Sequence, residues 1–417
     1  MRRSGKKARA KPPLEYSILY TATLCLLAVG SVMVYSASSA ESLLQGSGDP
    51  SFFFKRYLVF GVLGLAALHL ASRHGVGVAK KLTGPLLAVA FGLTIAVMLP
   101  GIGVTVNGAT RWIAAGPIQF QPSELLKVAL VLYGANLLSS RPKQLQTLGG
   151  LCKPLLLVVG AACALLLKQP DMGTALVVCF STFCLMIAAG ARRRDLGILL
   201  GTLAFLALVL AIIEPYRRAR LMSFVDPWKD AGGDGFQSVQ AMIAMGSGGI
   251  FGRGLGESVQ KIFYLPEAHT DMILAVIGEE LGVFGVTMLA ALYGLIGYAG
   301  FRTAKLAKDR FQKLLAAGVT SLILAQAVLN FFAVMGMAPL TGVPLPFISY
   351  GNSNMIVLLG AMGLLLGVAA RVPASVGRDL RMIEGGRGEP AVARADRSGG
   401  HGGPRRAGAG NRRRSSR

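Results

Sequence analysis

Apolar runs recur along the chain near residues 14–37, 52–71, 82–100, 123–139, 154–168, 172–190, 195–213, 271–300, 314–337 and 352–371. Most hold about 20 residues, enough to cross roughly 30 Å of hydrocarbon as a helix, and charged residues gather between the runs. Lipid gives backbone polar groups no partner, so spans of this kind are helices. The pattern predicts an all-α polytopic membrane protein of ten transmembrane helices, with a long loop, 214–270, between helices seven and eight. The even number places both termini on one side.

Lys and Arg in the short loops set that side. Alternate intervals carry Arg73, Lys80 and Lys81, then Arg141, Lys143 and Lys153, then Arg192, Arg193 and Arg194, then Arg302, Lys305, Lys308, Arg310 and Lys313. The intervening ones carry Lys55 and Arg56, then Arg111, then Lys168, and 338–351 carries none. The richer loops and both termini are therefore expected in the cytoplasm, with 214–270 extracytoplasmic. That long loop lies outside the reach of the rule, and its own cations include Arg217, Arg218, Arg220 and Lys261.

Composition agrees: 53% of the 417 residues are hydrophobic and 15% charged, and the mean hydropathy is +0.55. The net charge of +23 comes largely from the ends, because residues 1–13 hold six basic and no acidic residues and 371–417 hold twelve Arg against four acids. The basic balance thus reports two tails, and a nucleic-acid partner is disfavoured. Residues 1–13 read as a cytoplasmic basic tail, 14–371 as the membrane domain and 372–417 as a disordered basic cytoplasmic tail with too few apolar residues to build a core. The first run has a basic flank but no A-x-A site and reads as a retained anchor. The five cysteines, none in a CxxC pair, read as small core residues.

Polar residues concentrate at one end of the predicted spans. Four helices start there, at QPSELLK (121–127), QPDMGTA (169–175), EAHTDMILAVIGEE (267–280) and PFISYGNSN (346–354), and each start offers free N–H groups and a positive dipole end to an anionic ligand. Ser123 and Asp171 fit N-caps as well as ligand groups. Glu124 and Lys127 are three residues apart, and a lone ammonium in lipid demands either that pairing or a polar cleft. Asp271 sits where Thr270 would cap equally well. Glu279 and Glu280 lie about 12 to 13 Å further along by the helical rise and read as packing-network members. Arg217 and Arg220, read as continuing the seventh span, fall on one face and suit a diphosphate. Residues 236–245 read as an amphipathic helix on the outer leaflet, and the glycines from Gly246 to Gly256 match no nucleotide-loop spacing.

NGATRWI (107–113), QPSE, QPDMGTA, DPWKD (226–230), GFQSVQAMIAMGSGGIFGRGLGES (235–258), QKIFYLPEAHTDMI (260–273), GEELG (278–282) and PLTGVPLPFISYG (339–351) together resemble the SEDS family of shape, elongation, division and sporulation proteins over residues 14–371. The resemblance implies ten helices in the bacterial inner membrane, a groove open to lipid, and peptidoglycan glycosyltransferase activity on lipid II. It leans toward the division member, at the septum. It implies an inverting displacement in which an acceptor 4-hydroxyl attacks the donor anomeric carbon and undecaprenyl diphosphate leaves. Asp271 is then the general base. Arg217, Arg218, Arg220 and Lys261 are candidates for the diphosphate, Arg111 and Trp112 for a sugar or headgroup, and Glu124, Lys127, Asp171, His269 and Ser349 for the surrounding cleft. No metal cage is legible, and a divalent cation (Mg or Mn) at the leaving group is an open requirement. Partners implied are a class B penicillin-binding protein and other division proteins. The rival readings are a lipid II flippase, which would need polarity at both faces, and a non-catalytic scaffold. Asn352 stands where the family has glycine, and if that glycine supplies a positive φ, Asn is the least costly replacement.

Single cysteines in a cysteine-free background test the topology. Position 140 or 308 should be shielded from an impermeant thiol reagent in intact cells while position 47 or 233 labels, and labelling at 308 would overturn the orientation.

Overall fold

The computed structural model describes residues 12–44, 48–106, 108–116, 118–142, 148–213, 215–262 and 264–372; the predicted tails lie almost wholly outside them. Every predicted apolar run is helical. In chain order the helices are α1 (Leu14–Leu44), α2 (Phe52–Leu70), α3 (Val76–Ala96), α4 (Pro122–Ser140), α5 (Leu148–Leu151), α6 (Leu157–Lys168), α7 (Met172–Ala189), α8 (Arg193–Ile213), α9 (Pro215–Val225), α10 (Phe236–Ser247), α11 (Ile273–Leu306), α12 (Arg310–Val334) and α13 (Asn352–Ala369). Among the described residues, six continuous helices are long and apolar enough to cross a membrane, counting Phe52–Ala96 as one. The chain is mostly helical and is a membrane protein.

The α2–α3 stretch is joined by a π-helical turn, Ala71–Gly75, yet its arms run in opposite directions. Gly64 packs on Leu359, and Gly363, nearer the α13 C-terminus, packs on Leu68, so α2 follows α13 along its length. Lys80 lies over the Phe311 ring at the start of α12, whereas the Thr94 carbonyl has returned to accept from Gln169 Nε2 just before α7. The π-turn is the reversal itself. Bending inside a helix keeps backbone groups paired where a loop would expose them.

The core is made by α12 and α13, whose most apolar windows are 78% buried, while the α2–α3 window is 17% buried and faces lipid. Leu58, Val59, Val62 and Leu63 of α2 are exposed, as befits a surface solvated by hydrocarbon.

One feature departs from the expectation. Residues 103–120 form a three-stranded antiparallel sheet, β1 (Gly103–Val106), β2 (Ala109–Ala115) and β3 (Ile118–Phe120), in the order β1-β2-β3, so the fold is not all-α. The Asn-Gly pair at 107–108 between β-branched residues is a hairpin signal. The interval 214–270 also carries its own helices α9 and α10 and a 3-10 turn, Pro227–Asp230. Helix is described on both sides of residue 214, in α8 and in α9, and α10 packs on α11 with Val239, Ala241 and Ala244 buried.

The glycine cluster finds its reason in α11. That helix breaks at Gly282 (φ 66, ψ −163), which leaves nearby backbone groups without helical partners. Residues 249–254 supply them: Val283 N donates to Gly249 O (3.0 Å), Phe284 N to Ile250 O (3.0 Å), Arg253 N to Glu279 O (3.0 Å) and Gly254 N to Glu280 O (3.1 Å). Such contact needs bare Cα atoms, and a Cβ on Gly248 or Gly252 would run into the carbonyl of Gly278 or Glu280. Gly252→Val, which adds a forbidden φ of +82 to this clash, should lower stability by about 2 kcal/mol or more. Gly246→Ala, with open space around it, should be neutral; equal melting temperatures for the two variants in detergent would refute the account.

Candidate active site

Residues 338–351 run as irregular backbone between the helix ends, and much of this segment is buried. Their polar groups need partners. Tyr57 Oη donates to the Phe347 carbonyl (2.7 Å) and Tyr293 Oη to that of Pro346 (2.5 Å). Asn330 Nδ2 donates to the Val343 carbonyl (2.9 Å), and Leu345 N donates to Ser349 Oγ (2.8 Å). The four starts of α4, α7, α11 and α13 meet this segment. Gln121 N, before α4, donates to Ser353 Oγ of α13 (2.9 Å). Gly173 of α7 lies so close to the Thr341 carbonyl that a Cβ would collide with it. A Cβ on Gly342 would sit 3.7 Å from Asp271 Oδ2.

Asp271 does not cap α11. The cap position is Met272, with no side-chain cap bond, and Thr270 directs its hydroxyl to Glu267 Oε2 (2.7 Å) while lying 3.3 Å from Asp271 Oδ1. Asn330 Nδ2 also donates to the Asp271 carbonyl (2.7 Å), tying the residue to α12. Burial, and next the neighbouring Glu267 carboxylate, push the Asp271 carboxyl up to about 6. Thr270 and the charge of Arg220 oppose the shift. Arg220 Nη1 donates to the Leu340 carbonyl (3.0 Å). Asp271, Glu267, Arg220 and residues 340–343 therefore share one place. Arg218 is exposed on α9, and the Arg217 side chain lies outside the described residues.

Other candidates take structural positions. Asp171 caps α7 by accepting from Thr174 N (3.1 Å), and Ser123 Oγ lies 3.4 Å from its other oxygen. Lys127 pairs with Glu124 (2.9 Å) and donates to Gln326 Oε1 (3.1 Å), with all three buried. Arg111 clips the turn before α7 through the carbonyls of Gln169 (2.9 Å) and Pro170. Trp112, half-buried on β2, pairs in register with Val104. Lys261 is buried, its ammonium held by Glu280 (2.8 Å), Ser36 Oγ (3.0 Å) and the Gly256 carbonyl (2.7 Å). His269 is a wedge, its ring 4.4 Å from Phe53 and 5.6 Å from Tyr350 and its Nδ1 3.3 Å from Glu41 Oε2. Ser349 closes the turn described above. Asn352 lies in the first turn of α13 and is not among the residues with positive φ, so it carries no strain of that kind.

Among the described residues no group of three His, Cys, Asp or Glu side chains could hold a metal ion. The neighbouring carboxylates of Asp271 and Glu267 do fit a Mg²⁺-type ion, which binds through one or two carboxylates together with substrate phosphates and keeps several waters.

The helical membrane fold has known counterparts. Residues 17–373 match the model of the cell cycle protein family that groups FtsW, RodA and SpoVE, and this chain belongs to that family. It is 43% identical to the probable peptidoglycan glycosyltransferase FtsW of Thioalkalivibrio sulfidiphilus, over 89% of this chain and 93% of the relative. With stage V sporulation protein E of Bacillus subtilis it shares 38% identity, over 84% and 96%. A solved chain of a peptidoglycan synthase complex that coordinates polymerization and crosslinking superposes with TM-score 0.69 at 33% identity, over 84% and 96%. The Thermus thermophilus rod shape determining protein RodA superposes at 0.60 with 28% identity, over 84% and 95%.

Asn330, Tyr57 and Tyr293 were not singled out in the sequence, although an Asn within an apolar run is itself a signal. The loop ahead of Asp271 hangs on Glu279, which is fully buried and accepts from Ser258 Oγ (2.6 Å), Arg253 Nη1 (3.2 Å), Val259 N (3.2 Å) and Gln260 N (3.2 Å). Glu279→Gln should leave at least one of these donors unmatched at a cost of about 1–3 kcal/mol. Amide hydrogen exchange over 253–262 should rise several-fold, and unchanged protection would show that the carboxylate does not hold the loop.

Proposed function

We propose that this chain polymerises lipid II into glycan strands with release of undecaprenyl diphosphate, as a septal peptidoglycan glycosyltransferase. The observation that carries the reading is Asp271 at the head of α11, beside Arg220 and against residues 340–343, in a chain whose relatives bear that enzyme's name. Ten helices span the bacterial inner membrane with both termini in the cytoplasm, α2 and α3 counting as two spans about the π-turn. Residues 1–13 and 372–417 are cytoplasmic tails, and 214–270, with α9 and α10, is extracytoplasmic. A class B penicillin-binding protein is the partner that crosslinks the product, alongside other division proteins.

An α-linked diphosphate donor and a β-1,4 product require one inversion, hence a base at the attacking hydroxyl and positive charge at the leaving diphosphate, with no protein nucleophile. Asp271 takes the proton of the acceptor 4-hydroxyl. Its raised affinity for protons makes it a better base than an ordinary aspartate. Arg220 balances charge on the departing diphosphate, helped by Arg217 and Arg218 on the same short helix. Where a divalent cation is bound, Asp271 and Glu267 are the carboxylates that would hold it, and it would supply Lewis acidity to the leaving diphosphate.

Asp271→Asn should retain lipid II binding and lose about 10² to 10⁴ in polymerisation rate, measured on purified protein with its partner. A rate near the parent's would transfer the role of base away from Asp271, to Glu124 as the next acid. The absence of any glycan from active parent protein that still moves lipid II across vesicles would favour a flippase. The pH dependence has two signs. Activity should fall as pH drops through about 6, because the base becomes protonated. The folded state holds the proton more tightly than the unfolded value of 3.8, so this group favours folding below about pH 4, and that contribution is lost as pH rises through about 6. Asp271→Asn should accordingly melt no lower than the parent at pH 7.

A further inference from the structure

At the opposite end of the bundle from Asp271, the C-terminal ends of α7 and α11 and the start of α12 enclose a cavity of about 390 Å³ lined by Lys305, Lys308, Arg310 and Lys313. No acid lines it. The nearest acid in sequence, Asp309, is turned to the helix it caps and accepts from Gln312 N (3.3 Å). Arg310 reaches across to the Ala189 carbonyl at the end of α7 (3.5 Å), so the two helix ends are bridged around the cavity. Arg192, Arg193 and Arg194 follow in the next turn and are exposed. Like charges gathered around one hollow repel one another, and the start of α12 adds a positive dipole end. An anion relieves both.

We propose that this cavity binds the phosphate of an anionic membrane lipid. Phosphate is the chemistry that four convergent cations select. The lipid source follows from position, since the cavity lies where three apolar spans end, Met172–Ala189, Ile273–Leu306 and Arg310–Val334, at the level of headgroups on whichever side of the membrane it faces. The inference therefore does not depend on the catalytic assignment or on the orientation of the chain.

The test uses full-length protein in a zwitterionic detergent, titrated with phosphatidylglycerol, with phosphatidylcholine and with inorganic phosphate, and read by native mass spectrometry and melting temperature. Phosphatidylglycerol should add a saturable bound lipid and raise the melting temperature by several degrees, less so at high salt. Phosphatidylcholine should not. Lys305→Gln/Lys308→Gln/Lys313→Gln should weaken the effect at least tenfold, and the corresponding triple Arg variant should keep it, which separates lost charge from lost folding. Undiminished binding in the Gln variant would overturn the site. An equal response to inorganic phosphate alone would overturn the lipid assignment.

Discussion

An irregular stretch of backbone inside an apolar bundle is the constraint on which the rest of the structure turns. Residues 338–351 carry amide groups that lipid would leave bare, at several kcal/mol each. Tyr57, Tyr293 and Asn330 reach in from three helices to pair them. Each of these side chains is fixed by the duty, and so are the approaches of α2, α11 and α12 to the segment. Gly30 shows how tight the arrangement is, since a Cβ there would meet the Tyr57 hydroxyl and the backbone of residues 347 and 348.

The same necessity sorts the charges. A buried ion left alone is costly, and a paired one is tolerable when its remaining hydrogen bonds are met. Lys127 with Glu124 and Lys261 with Glu280 are buried pairs, each leaving one carboxylate oxygen without a protein partner, and the half-buried Arg302 pairs with Glu15. These groups help to hold α1, α4, α11 and the 253–262 loop in place. Asp271 is different in kind: its nearest charged influence is a second carboxylate, which makes it hold its proton harder rather than give it up.

Most of the helices could be read from the length of their apolar runs, because in a membrane that length is imposed by the solvent. Asp271 stood out in the sequence through the family resemblance, and only the folded chain shows its neighbours, Glu267, Arg220 and residues 340–343. What escaped was whatever depends on contacts between distant segments. Lys261 looked like a free cation because Glu280 and Ser36 lie 19 and 225 residues away from it. The glycine cluster looked like a loop because the break at Gly282 that it repairs is not visible in periodicity. The sheet at 103–120 escaped for a different reason, since its strands are three to seven residues long and carry a far weaker signal than runs of about 20 apolar residues.

For the proposed base and cation, the placement follows from how their forces fall with distance. Proton transfer requires a heavy-atom separation of about 2.6–3.2 Å, so a base belongs on an element that cannot wander. Asp271 meets this, anchored through its carbonyl to Asn330 and placed at the end of a helix whose first turns are fully buried. Charge compensation decays only as the inverse of distance, so an arginine that serves a diphosphate tolerates a looser mount. Arg220 has such a mount, on the short and largely exposed α9, with one bond to the Leu340 carbonyl fixing it beside the site. A fold that reversed these placements, with the acid on α9 and the arginine on α11, would hold the wrong group still.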